Sequence, residues 1–275
     1  MNEHSFKGDE IVAIKTDYNS IKVEIEGTTG WITLNRPENL NALQLEMMEE
    51  LVETLKELNR DPDIYLVVLK GEGRGFCSGG DIKTMLSMEG EGQFQTFMEI
   101  ISELSLVLYS MDKITVSAIH GAAAGLGFSI ALATDFIVAE EGSKIAMNFI
   151  GIGLVPDGGG HFFLKERIGA QKAMQLIWKG EVMNGQEAYA LGLIDKVVAE
   201  NKGLEEARKL VAGFQRSPLK AMMETKSILR SNQVSELKAV LASEQESQWR
   251  MRQTEDHKEG IKAFVEKRKP NFKGQ

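Results

Sequence analysis

Three stretches of the chain combine residue types and spacing that can do chemistry. GEGRGFCSGGDIK (Gly71 to Lys83) and HGAAAGLGFSIALATD (His120 to Asp135) are glycine-rich, and each follows a strand-like apolar run and precedes a helix-like one. Glycine at such a junction leaves backbone N–H groups unhindered at a helix N-terminus, so two junctions facing one point can place two donors on one oxygen, an oxyanion hole. Tight helix–strand packing is the plainer use of the same glycines. The third stretch, Phe149 to His161, holds Asp157 as a lone acid among apolar residues and glycines. Asp157 suits the N-cap of a helix through Phe162 to Ile168. It equally suits a partly desolvated carboxylate whose raised pKa makes it a general base.

Two rival chemistries are weak. GxGxxG does not follow either strand, and no acid lies about twenty residues further on in a βαβ setting, so a dinucleotide site is disfavoured. Gly127-Phe128-Ser129-Ile130-Ala131 nearly fits a nucleophile elbow, with Asp157 and His161 downstream, but its last glycine is an alanine. A helical serine bonded to its own backbone is the commoner use of Ser129.

The elements that must position these residues follow from periodicity. Lys22 to Ile25 and Trp31 to Leu34 predict a hairpin around a Thr29-Gly30 turn. Leu43, Met47, Met48, Leu51, Leu55 and Leu58 share one helical face, with a start at Asn41 and Pro62 as the stop. Tyr65 to Leu69, Ile114 to Ile119 and Phe136 to Ala139 read as buried strands, and helices are expected from Asp81 and up to Ala133. Strands alternating with helices predict an α/β fold with parallel pairing. Strand signals stop after Val198, and everything from Leu204 looks helical with wide apolar stripes, which pack on the core or on another subunit. The expected organisation is an N-terminal extension (1–20), an α/β core (21–200) and a helical region with a tail (201–275).

Composition bounds the function. The 275 residues are 43% hydrophobic and 26% charged, with 32 basic and 40 acidic side chains and a net charge of −8, which argues against a general nucleic-acid binder. A single cysteine, Cys77, and four histidines predict neither a disulfide framework nor a zinc cluster. The charged MNEHSFKGDE start is no signal peptide, and the apolar run Val116 to Ala133 is broken by His120 and glycines, so a soluble, cytoplasmic protein without a membrane span is expected. Trp249 to Gln275 runs against the general charge, with eight Lys/Arg and four acids, either as a solvated helix or as a phosphate-binding patch.

NRPENLNAL (35–43), GRGFCSGGDIK (73–83), ITVSAIHGAAAGLGFSIALATDFIVA (114–139), IGIGLVPDGGG (150–160) and EGIKAFVEKRKPNFKGQ (259–275) together resemble the enoyl-CoA hydratase/isomerase (crotonase) superfamily over residues 20–275. The resemblance implies a spiral of ββα turns with a C-terminal helical trimerisation region, a homotrimer or dimer of trimers, and an acyl-CoA thioester as substrate, with no separate cofactor or metal. It implies an oxyanion hole from the N–H groups of Gly80 and Leu126, the leucine replacing a glycine of many relatives. It also implies a CoA wall of Leu40, Ser78, Asp81 and Ile82, and a tail, Phe272 and Lys273, that closes over CoA, often from a neighbouring subunit. Glu38 stands where hydratases often carry a basic residue, which puts that phosphate contact in doubt.

Family hydratases use two glutamates to position and activate water, and Ser129 and Phe149 stand in their places. Asp157 falls where isomerase-type members, the phenylacetate-pathway isomerases among them, carry one catalytic acid. Family dehalogenases place an aspartate nucleophile nearby, but the tryptophan-rich pocket they need is absent from the sequence. The expectation is a shift of a 3-enoyl-CoA double bond to the 2-position, with Asp157 as acid/base and Phe149 lining the pocket. The alternatives are a hydratase acting on 2-enoyl-CoA in fatty acid oxidation and a non-catalytic acyl-CoA-binding subunit.

Overall fold

A computed structural model describes residue 16 and residues 18–275. Most of the expected 1–20 extension therefore lies outside the described residues. The main sheet contains β1 (Ile21–Glu26), β2 (Thr29–Leu34), β3 (Leu66–Gly71), β4 (Ile114–Ile119), β6 (Phe136–Glu140) and β8 (Lys196–Val198), adjacent in that order. Only the β1–β2 hairpin is antiparallel; every later pair is parallel. The hairpin turns at Gly27-Thr28, not at the expected Thr29-Gly30, since Glu26 pairs with Thr29. Gly27 takes the positive φ of +59° that the tight turn needs, which leaves Thr29 and Gly30 buried inside β2.

A second, shorter ladder pairs β5 (Ala122–Ala124) with β7 (Lys144–Ala146) and continues through single bridges Leu43–Gly80, Cys77–Ala123 and Ile145–Met183. Each pass of the chain thus gives one strand to the main sheet and one short extended piece to the ladder before turning into a helix. This is the expected ββα spiral.

Alternate strand residues face opposite layers, as a period of two requires. Ile32, Val67 and Leu69 join one core with α1 (Leu45–Arg60), α3 (Gly90–Ser110) and α4 (Leu126–Ala133). Trp31, Val68 and Val116 pack instead on Ala207 and Val211 of α8 (Gly203–Gln215) and on Met222 and Met223 of α9 (Leu219–Arg230). Much of the apolar surface after Leu204 is therefore spent on the chain's own sheet. Both faces are covered, which explains why the central strands read as unbroken apolar runs. The helix after β2 begins at Leu45, four residues later than expected. Asn41 sits in the left-handed region (φ +55°) with its side chain accepting from Arg36 N–H at 2.9 Å and donating to the Glu72 and Gly75 carbonyls, so it pins the first glycine loop rather than starting a helix.

Candidate active site

The two glycine loops meet side by side. After β3 the chain runs through Cys77, whose N–H donates to Ala122 O (2.8 Å) and whose carbonyl accepts from Ala124 N–H (3.0 Å), holding the loop against β5. On its other side Gly79 O accepts from Leu43 N–H at 2.8 Å and Asp81 N–H donates to Leu43 O at 2.9 Å. Gly80 N–H, between these, finds no acceptor among the described residues. Leu126 N–H, at the first position of α4, has none either. A Cβ on Gly79 would lie 3.7 Å from Leu126 N and 2.9 Å from Ala124 O, so glycine there (φ +107°) permits the approach. The Leu126 side chain is buried and would be 2.5 Å from any Cβ on Gly158, so replacing glycine at 126 works because Gly158 leaves the room.

Asp157 lies across from these donors, after Pro156 and before Gly158 and Gly159, both with positive φ. It is not the helix cap that its sequence position suggested. The N-cap of α5 (Gly160–Ile168) is Gly159, and no side chain caps it there. The Asp157 carboxyl is buried; Oδ2 accepts from Gln248 Nε2 at 3.3 Å, and Oδ1 has no hydrogen-bond partner. Desolvation, and secondarily the nearby Glu244, push its pKa well above the usual carboxylate range. Gln248 and Glu244 belong to α10 (Gln233–Arg252).

One cavity of about 280 Å³ gathers Ser78, Gly80, Ile82, Leu126, Phe149 and Asp157, each picked out from the sequence. Its remaining wall is largely apolar, with Met98 and Ile101 of α3 and Leu154 among the lining side chains. Asp157 is the one acid and Arg252 the one cation among the described lining residues. Leu40, Asp81, Phe272 and Lys273 do not line it. Leu40 stands behind Ser78, whose N–H it accepts at 3.0 Å. Asp81 is committed elsewhere: it caps α2 (Ile82–Ser87) through Lys83 and Thr84 N–H and forms an ion pair with Arg36 at 3.2 Å. The tail folds back on α11 (Glu255–Val265), where Lys273 and Gly274 N–H donate to Asp256. Phe264 of α11, not Phe272, reaches the cavity wall in this chain.

Ser129 is fully buried, and its hydroxyl donates to Asp157 O at 2.8 Å, so it braces the aspartate and is no exposed nucleophile. Cys77 is equally closed off, its thiol pushed up to about 12 by burial. Gln248, Glu244, Arg252 and Phe264 were missed because a polar stripe on a helix ordinarily reads as solvated. Their recurrence at 244, 248 and 252, one turn apart, was the available signal. Among the described residues no group of three or more His, Cys, Asp or Glu could hold a metal ion, and no helix is long and apolar enough to cross a membrane.

The family model described as Enoyl-CoA hydratase/isomerase matches residues 24–275. The chain belongs to this family. It is 48% identical over 252 residues (92% of this chain, 98% of the relative) to Bacillus subtilis (strain 168) YhaR, named an enoyl-CoA hydratase/isomerase. It is 32% identical over 254 residues (89% and 94%) to the 1,2-epoxyphenylacetyl-CoA isomerase of Escherichia coli (strain K12). Its fold superposes on the crystal structure of an enoyl-CoA hydratase from Mycobacterium avium subsp. paratuberculosis K-10 with a TM-score of 0.85 at 29% identity, covering 94% of this chain and 100% of the other. Relatives of the hydratase/isomerase family thus carry both activity names, and the family acts on acyl-CoA thioesters.

Proposed function

We propose that this enoyl-CoA hydratase/isomerase family member moves a 3-enoyl-CoA double bond into conjugation, with Asp157 carrying the proton. The observation that carries this reading is the single acid: among the described residues that line the cavity, Asp157 carries the one carboxyl group, and Ser129 and Phe149 cannot stand in for a second. Phe149 and Leu154 instead keep the pocket apolar, which disfavours an ordered attacking water.

The Asp157 carboxylate removes a proton from C2. The electron pair forms a dienolate whose negative charge lies on the thioester oxygen, opposite Gly80 and Leu126 N–H. Each such donor contributes on the order of 3 kcal/mol of transition-state stabilisation. The same proton returns at C4, leaving the double bond between C2 and C3. Proton and electron count balance without a redox or metal group. The upward direction of the Asp157 pKa, caused by burial, makes the carboxylate a stronger base toward C2.

Asp157→Asn keeps the shape and removes the base. Its kcat for 3-enoyl to 2-enoyl conversion should fall roughly 10²-fold or more, with KM moving much less because the donors and the apolar wall remain. The wild type should hydrate crotonyl-CoA very slowly. Brisk hydration would install the hydratase reading, and tight acyl-CoA binding with no turnover would leave a binding subunit.

A further inference from the structure

Asp157 does not stand alone: α10 presents Glu244, Gln248 and Arg252 along one face, four residues apart, toward the segment 155–161 and the cavity. Gln248 is buried and uses both hydrogens of its amide nitrogen, one on Val155 O at 2.6 Å and one on Asp157 Oδ2 at 3.3 Å. Reversing the amide would set its oxygen against two acceptors, so the partners fix its orientation. Glu244, one turn earlier and also buried, accepts from Gly159 N–H at 2.7 Å, His161 N–H at 3.1 Å and His161 Nδ1 at 2.7 Å. These three contacts fix the Glu244 carboxyl group against the segment that carries Asp157.

We propose that Gln248 and Glu244 are positioning residues for Asp157: Gln248 holds Oδ2 and so fixes the rotation of the carboxyl group, and Glu244 supplies a fixed negative charge that makes Asp157 a stronger base. The inference rests on Asp157 being the acid/base. The direction of the Asp157 shift, with Glu244 as its second cause, agrees with this geometry. The titratable and charged groups facing Asp157 are Glu244 and Arg252 from α10 and, through Glu244, His161 from α5. Arg252 donates to Met85 O at 2.6 Å and so holds α2 rather than neutralising Asp157.

The test follows Asp157 itself by its infrared carboxyl band, assigned by loss in Asp157→Asn, across a pH titration, beside the pH profile of isomerisation. In Glu244→Gln the Asp157 titration should move down, and the acid limb of kcat/KM with it. Glu244→Asp, which keeps the charge, should hold both near wild type. Gln248→Met should lower kcat about tenfold, the equivalent of one hydrogen bond to a charged group, with little change in KM. An unmoved Asp157 titration in folded Glu244→Gln overturns the proposal. If that variant does not fold, Gln248→Glu serves, since a second carboxylate beside Oδ2 must move the upper titration step up; no movement there overturns it too. A titration that moves while the isomerisation limb stays put keeps the Glu244 coupling and removes Asp157 from catalysis.

Discussion

Asp157 holds its buried carboxyl at a cost to stability, and the sign of that cost can be measured. Its pKa is raised in the folded chain, whereas an unfolded aspartate titrates near about 4. Below that value the group is neutral in both states and contributes nothing. As pH rises the unfolded chain loses its proton first, so this residue's contribution falls steadily until the folded pKa is passed. Asp157→Asn removes the ionisation. The variant should match the wild type near pH 4 and exceed it increasingly toward neutrality, by about 2–4 °C in Tm for each kcal/mol of relieved charge burial. Thermal melts across pH would show this, and a wild type that gained on the variant with rising pH would contradict the raised pKa. Ser129, by contrast, spends its hydroxyl on the Asp157 carbonyl, so its role is to hold the backbone of the base.

At the level of elements, the N–H groups of Gly80 and Leu126, the proposed oxyanion donors, depend on how closely α4 sits on the loop after β3. Gly127 sets that distance: a Cβ there would fall 2.6 Å from both the Cys77 carbonyl oxygen and its sulfur. Gly127→Ala should force α4 and the loop apart, costing about 1–3 kcal/mol by denaturant titration. It should also lower kcat, because the N–H groups of Gly80 and Leu126 would separate. Gly213 in α8 supplies the control. Nothing lies within 4 Å of its added Cβ, so Gly213→Ala should stabilise by about 0.5–1 kcal/mol with activity intact. Equal effects at the two glycines would remove the packing argument.

On the scale of the whole molecule, several large apolar residues remain exposed. Trp178 is 64% exposed and Val182 61%, beside Tyr189; Ile228 and Leu229, at the end of α9, are 72% and 68% exposed. Were such side chains to form a continuous patch, they would be the surface to bury between subunits. The α8 stripe, expected to pack on the core or on another subunit, lies on the main sheet through Ala207 and Val211. Sedimentation at micromolar concentration should find a trimer or a multiple of it; a monomer would overturn the expectation. The basic stretch after Trp249 is partly neutralised within the chain, since Arg268 pairs with Glu259 and Glu266 at 2.6 Å.

Sequence by itself determined the α/β class, the glycine loops and the one acid among apolar residues. Those are local facts: strand and helix periods, φ angles that only glycine accepts readily, and the cost of a carboxylate without polar neighbours. It also determined the family, because five motifs stand in order. Only the tertiary structure decided that Asp157 does not cap α5, because an N-cap and a buried carboxyl share the same flanking residues and differ in what packs on them. The deciding groups, Gln248 and Glu244, lie about ninety residues away on a helix whose polar residues look solvated until they meet the 155–161 segment. Asn41 was misplaced for the same reason, since a short polar side chain caps a helix or braces a loop according to partners that only folding brings near.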